Sequence, residues 1–130
     1  NLCNPTSGEI KINNQDISLI FKEEYWKKIY MVNQNSKILF GTIYENITDF
    51  TCDISKEEIK STLKKFNLYD WIEEKECGLD TVVTNETLSS SQIQLLNILK
   101  ALFSKAKIFI FDEINANLDY QTEELIIKAL

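Results

Sequence analysis

The stretch Ile108-Phe109-Ile110-Phe111-Asp112-Glu113 is an uninterrupted apolar run that ends in two adjacent carboxylates. Runs of this kind form parallel strands covered on both faces, and open α/β folds place their ligands at the carboxyl edge where such strands end. The run predicts a buried core strand that delivers acid groups to a cleft. Taken alone, it reads equally well as a core strand entering an acidic turn, so the neighbouring segments decide its meaning.

Working outward, Ser89 to Phe103 carries the strongest helical pattern, with Leu95, Leu96, Leu99, Leu102 and Phe103 forming a broad apolar face. Ser104-Lys105-Ala106-Lys107 links it to the apolar run. Ser55 with Glu58 and Thr42 with Glu45 are spaced as capping boxes, and Ile59, Leu63, Phe66 and Leu68 supply an apolar stripe behind the first of these. Tyr69 to Glu76 extends the helical region until Gly78. Nearer the amino end, Glu9 to Asn13 alternates as a half-exposed strand and Asn13 to Asp16 turns it round. A helical patch then spans Lys22 to Lys28, and Ile29 to Val32 reads as a short strand.

The 130 residues contain 44% apolar and 11% aromatic side chains, enough for one domain with a real core. Twenty acidic against fourteen basic residues give a net charge of -6, with lysines scattered among acids, which disfavours nucleic acid as a partner. The three cysteines have no C-x-x-C spacing, and the absence of histidine excludes the usual zinc sets and any Ser-His or Cys-His nucleophile. No apolar run approaches the ~18 residues of a membrane span. Asn1 leads at once into the turn cluster Pro5 to Gly8, and Tyr120 to Leu130 is a fresh helical pattern without a stop signal, so the chain is expected to be an internal segment of something longer.

Four blocks carry a further pattern. They are Pro5-Thr6-Ser7-Gly8-Glu9-Ile10 with Asn13 to Ile17; Val32-Asn33-Gln34-Asn35 followed by Ile38 to Ile47; Gly78-Leu79-Asp80-Thr81 followed by Leu88-Ser89-Ser90-Ser91-Gln92; and Ile108 to Glu113 followed by Ala116-Asn117-Leu118-Asp119. In order and approximate spacing they resemble the nucleotide-binding domain of ATP-binding cassette (ABC) transporters, particularly the exporter type. The resemblance implies an α/β, RecA-like P-loop NTPase core, present in part, with an inserted helical subdomain. Residues 1–49 and 105–130 would belong to the core, and 50–104 to the helical subdomain with its signature helix.

It also implies roles for single residues. Asp112 would hold Mg2+, Glu113 would act on the attacking water, and Gln34 would contact both metal and water. Ser89, Ser90, Ser91, Gln92 and Asp119 would face ATP bound by a second nucleotide-binding domain in a head-to-tail dimer. The segment Leu39 to Ile47 would meet a transmembrane partner domain, although Leu39 and Phe40 also suit a core. Lys100 stands where the family usually has arginine, and reads equally as a solvated lysine. Asp119 also suits the amino cap of a helix starting at Tyr120. The module would then lie at the cytoplasmic face of the cell membrane without crossing it.

The sequence departs from the pattern in two places. Ser90-Ser91 replaces the family's paired glycines, putting side chains where bare backbone would approach phosphate. The approach from Thr81 to Leu88 is also shorter than usual. Nowhere does a G-x-x-x-x-G-K-[ST] cradle occur, and Gly8, Gly41 and Gly78 are the only glycines, so the isolated chain is expected to be inactive. Without a neighbouring strand and helix, one face of the predicted sheet would be left as exposed apolar surface. Three functions remain open at this point: an ATPase module that powers export, a regulatory or degenerate partner subunit that dimerises with an active ATPase but hydrolyses little, and a soluble interaction domain whose acid placement is accidental.

Overall fold

A computed structural model describes residues 5–33, 37–112, 124 and 126–128. The chain opens with a hairpin of β1 (Lys11–Ile12) and β2 (Gln15–Asp16), antiparallel, with Ile12 opposite Gln15. Asn13 and Asn14 make the two-residue turn with φ of 51° and 63°. Such a turn needs positive φ at both positions, which asparagine tolerates better than most residues. After a short 3-10 turn come α1 (Lys22–Trp26) and β3 (Ile29–Val32).

The apolar run forms β6 (Ile108–Phe111), which pairs in parallel with β3 in the register Ile29 to Ile108 and Val32 to Phe111. Paired residues share a face, so Tyr30, Val32, Phe109 and Phe111 point one way and belong to the core cluster. Met31, Ile108 and Ile110 lie on the other face and are 44–50% exposed. The expected strand is therefore present, but the described residues cover only one of its faces. This is the exposed apolar surface that a continuous apolar run leaves when one helical layer packs against it.

That layer is α5 (Ser90–Phe103), which buries Gln94, Leu95, Leu96, Ile98, Leu99 and Ala101. Between β3 and α5 lie β4 (Gly41–Thr42), α2 (Ile43–Ile47), α3 (Lys56–Lys65), α4 (Asp70–Glu73) and β5 (Val82–Val83). The start of α3 is capped by the Ser55 hydroxyl, which accepts from Glu58 N–H at 3.2 Å. Glu57 and Glu58 in its first turn and Lys64 and Lys65 in its last complement the helix dipole. Its apolar stripe buries Ile59 and Leu63 completely, and Phe66 packs at the edge of the cluster. The helical stretch after Tyr69 is shorter than the sequence pattern predicts.

The pairing of β4 with β5 was not visible in the sequence. These antiparallel strands are two residues each, with Gly41 opposite Val83 and Thr42 opposite Val82. Two residues contain no period to read. One cluster unites Val32, Ile43, Ile47, Ile59, Leu63, Ile72, Val83, Leu96, Leu99 and Ile126, so sheet, α2, α3 and α5 share a core.

Candidate functional site

Asp112 follows β6 directly, and its N–H donates to the Val32 carbonyl at 3.0 Å, continuing the parallel ladder by one residue. Asn33 and Asp112 therefore stand side by side at the carboxyl edge of the strand pair, both exposed. A carboxylate fixed there by backbone pairing is placed for a ligand in the crevice beyond the strands. Gln34, Glu113 and Asp119 lie outside the described residues.

The other predicted cluster lies at the start of α5. Ser89 is the N-cap: its hydroxyl accepts from Gln92 N–H at 3.2 Å, and the Gln92 carboxamide oxygen accepts from Ser89 N–H at 3.0 Å. This reciprocal box satisfies two donors that would otherwise point outward. The Ser89 and Ser91 hydroxyls lie 3.0 Å apart, and Ser89, Ser90 and Ser91 are all exposed. Four of the five residues predicted to face the nucleotide, Ser89 to Gln92, are thus gathered on one helix start. The Ser89 and Ser91 hydroxyls already engage each other, and the Gln92 carboxamide engages the Ser89 backbone.

The third feature is the segment between Ile38 and Thr42. The Asn46 carboxamide oxygen accepts from Leu39 N–H at 3.1 Å, while its nitrogen donates to the Leu39 and Thr42 carbonyls at 2.9 and 3.0 Å. Asn85 treats Ile38 in the same way, accepting from its N–H at 3.0 Å and donating to its carbonyl at 3.1 Å. Two asparagines thus imitate a neighbouring strand. Held by them, Leu39 and Phe40 are 59% and 77% exposed, so neither is a core residue. Sequence reasoning passed over both asparagines. An amide that serves as a substitute peptide gives no periodic signal, and Asn85 acts on a residue 47 positions away.

Thr42 and Glu45 form the expected capping box on α2: Thr42 N–H and Oγ1 lie 2.7 and 2.9 Å from Glu45 Oε2, and Glu45 N–H donates to Thr42 Oγ1 at 3.1 Å. The hydrogen bonds from Thr42, backbone first, hold the Glu45 carboxyl below its ordinary range. Asp53 is lowered likewise, first by the Thr51 hydroxyl and then by Lys105. Burial, with the charge of Asp49, pushes the Tyr30 phenol up. Lys100 is not a solvated lysine: its ammonium pairs with Asp49 and its side chain is only 22% exposed.

The fit to a magnesium-triphosphate is partial. Among the described residues no group of three or more Asp, Glu, Cys or His converges on one point. Mg2+ takes one or two carboxylates and completes its shell with water and phosphate oxygens. Asp112 can be one such ligand, and the helix start offers hydroxyl donors to an anion. The phosphate cradle, however, is not built by the glycines of this chain. Gly8 and Gly78 occupy turns with φ of 79° and 52°, and Gly41 sits in β4 under the Phe50 ring.

A mixed α/β core with a carboxylate at the end of a parallel strand and a serine-capped helix packed against it matches the architecture of a RecA-like P-loop NTPase core. The chain belongs to the ABC transporter family, whose model matches residues 1–116. It is 33% identical over 125 residues to an uncharacterized ABC transporter ATP-binding protein of Haemophilus influenzae, covering 95% of this chain and 22% of that protein. It is 35% identical to the ABC-type transporter fsqE of Aspergillus fumigatus, over 97% of this chain and 10% of the relative. The structure of a bacterial Atm1-family ABC exporter with ATP bound superposes with a TM-score of 0.85 at 29% identity, covering 97% of this chain and 22% of that one. The chain thus spans about a fifth or less of the length of these relatives. Its fold is that of a P-loop NTPase core of the ABC type. No helix among the described residues is long and apolar enough to cross a membrane.

Proposed function

We propose that the chain is part of an ATP-binding and hydrolysing module that powers export across a membrane through a transmembrane partner domain. The observation that carries this reading is Asp112, held at the carboxyl edge of a parallel strand pair by its bond to Val32. Membership of the ABC transporter family supports it. When bound, magnesium-ATP supplies the phosphoryl group whose transfer to water drives the cycle. Asp112 would ligate the metal, Gln34 would orient water beside it, and Glu113 would take the proton from that water. Ser89, Ser90, Ser91, Gln92 and Asp119 would face nucleotide held by the opposite subunit of a head-to-tail dimer. The exposed pair Leu39 and Phe40 would meet the transmembrane partner. In this scheme 1–49 and 105–130 are core and 50–104 is the helical subdomain. The 130 residues alone, lacking a phosphate cradle in their sequence, are not expected to hydrolyse ATP.

A second reading has its own support at the start of α5. The Ser89 N–H is taken by Gln92 and the Ser89 hydroxyl leans on Ser91, which leaves fewer free donors for a phosphate. A degenerate partner subunit, which dimerises with an active ATPase but hydrolyses little, fits that arrangement. Turnover of the complete protein separates the two. For the active module, Glu113→Gln lowers hydrolysis by about 100-fold or more while magnesium-ATP still binds. If full hydrolysis persists, Glu113 has no such role. For the degenerate partner, the unaltered protein binds nucleotide, hydrolyses little, and is indifferent to the substitution.

A further inference from the structure

The loop that leaves α2 is held in a conformation that two of its residue types, Phe50 and Cys52, do not favour. Asp49, Phe50 and Cys52 have φ of 51°, 60° and 51°. Crowding between Cβ and the backbone makes this region rare for side chains other than glycine, asparagine and aspartate. Surrounding contacts must over-determine it. Phe50 N–H donates to the Glu45 carbonyl at 2.8 Å, which closes the end of α2. The Phe50 ring covers Gly41 so closely that a Cβ there would stand 3.0 Å from it. Asp53 accepts from the Thr51 hydroxyl at 2.6 Å.

Two lysines then tie this loop to the carboxyl end of α5. Lys105 reaches Asp53 at 2.9 Å, but its side chain is 87% exposed, and such pairs contribute little. Lys100, in the last turn of α5, reaches Asp49 at 2.5 Å. At 22% exposed it is the most buried lysine among the ion pairs of the described residues, the others being 41% or more. It lines a cleft of about 390 Å³ walled by Tyr30, Ile47, Thr48 and Phe103, whereas the Asp49 side chain is 64% exposed, so the pair is shielded from water on the lysine side only. The same loop continues from α2, whose Asn46 fixes Leu39. The same helix begins at Ser89.

We propose that Asp49 and Lys100 are positioning residues: their ion pair pins residues 39–53 to α5, so that the exposed Leu39–Phe40 segment and the Ser89–Gln92 helix start move as one body. This rests on the nucleotide-dependent function proposed above. It adds the physical link between the partner-facing segment and the phosphate-facing one. The pin adds to the packing of Ile43 and Ile47 against the core shared with α5, because α2 is five residues long and transmits little by its own stiffness.

Hydrogen–deuterium exchange on the complete protein, with and without magnesium-ATP, tests the pin. Asp49→Asn removes the charge and keeps a residue that tolerates positive φ, Lys100→Met keeps the apolar stem, and Lys100→Arg keeps the charge. Without nucleotide, Asp49→Asn and Lys100→Met should each speed exchange across residues 39–50 by roughly three- to fivefold, with α3 unchanged and Lys100→Arg close to the parent. In the parent, magnesium-ATP should slow exchange at 89–92 and 39–50 together. In Lys100→Met the slowing at 89–92 should persist and that at 39–50 should be reduced. Equal protection of both segments in parent and variants overturns the pin. If nucleotide protects neither segment in the parent, the functional reading fails instead. The pin then stands or falls on the exchange rates without nucleotide, and equal rates in parent and Lys100→Met overturn it.

Discussion

Replacing Asn46 by alanine should destabilise the domain by about 2 kcal/mol, and the structure gives the reason for that size. Asn46 is 3% exposed and makes three hydrogen bonds, two with Leu39 and one with Thr42. At about 1 kcal/mol net for each, their loss amounts to roughly 3 kcal/mol. Leu39 is 59% exposed, so water can reach part of its freed backbone and recover some of that loss. Urea denaturation of the complete nucleotide-binding domain measures the change, provided the slope with denaturant stays constant. Asn46→Asp sharpens the test. It keeps the acceptor for Leu39 N–H but sets a carboxylate where the nitrogen now lies 2.9 and 3.0 Å from two carbonyl oxygens. At neutral pH it should therefore destabilise at least as much as alanine, and the difference should shrink as acid protonates it. A change below about 0.5 kcal/mol for Asn46→Ala would refute the clamp, because surface substitutions produce effects that small.

Gly41→Ala should lower stability by about 1–3 kcal/mol in the same assay, since the new methyl would stand 2.9 Å from Glu45 Oε2 and 3.0 Å from the Phe50 ring. Leucine exchange protection near residue 39 should fall with it, because Phe50 and Gly41 close the same segment. Glu45→Gln tests acid sensitivity. The folded-state pKa of Glu45 lies below the ordinary 4.5, so the group contributes stability above its unfolded value, and this is lost as pH falls through the folded one. The variant should show a flatter loss of stability on acidification below about pH 5, and an acid limb equal to the parent's would contradict the Thr42–Glu45 box as its source.

Much of this architecture was legible because it rests on local chemistry. An apolar run with terminal acids yields β6 and Asp112, Ser89 with Gln92 yields the cap of α5, and Thr42 with Glu45 yields that of α2. What escaped reading depends on tertiary neighbours. The β4–β5 ribbon has two residues per strand, and its partners are about 40 positions apart in the chain, since Gly41 meets Val83 and Thr42 meets Val82. Asn46 and Asn85 look like ordinary polar residues until their carbonyl partners are in place. Left-handed φ at Phe50 runs against the preference of its residue type, and only the Glu45 carbonyl and the space above Gly41 account for it. The serines of the α5 start were readable as an exposed cap. Their mutual hydrogen bonding, which bears on how many donors remain for a ligand, was not.

The placement of α2 follows from the same distinction. A helix of five residues has too few internal hydrogen bonds to persist by itself, so its position is set by what grips its ends. Thr42 and Glu45 grip one end, and the Phe50 amide on the Glu45 carbonyl grips the other. Ile43 and Ile47, fully buried, fix its face against the core that α5 shares. Such an element has no independent rest position. When α5 shifts, α2 must follow or lose its buried face, and Asn46 carries Leu39 with it. The exposed Leu39–Phe40 pair is thus coupled to the helix start at Ser89 through packing and hydrogen bonds that reach solvent only at their ends. The weakest place in that chain of contacts is the strained loop after α2, where one ion pair holds the exposed Asp49 to the more buried Lys100.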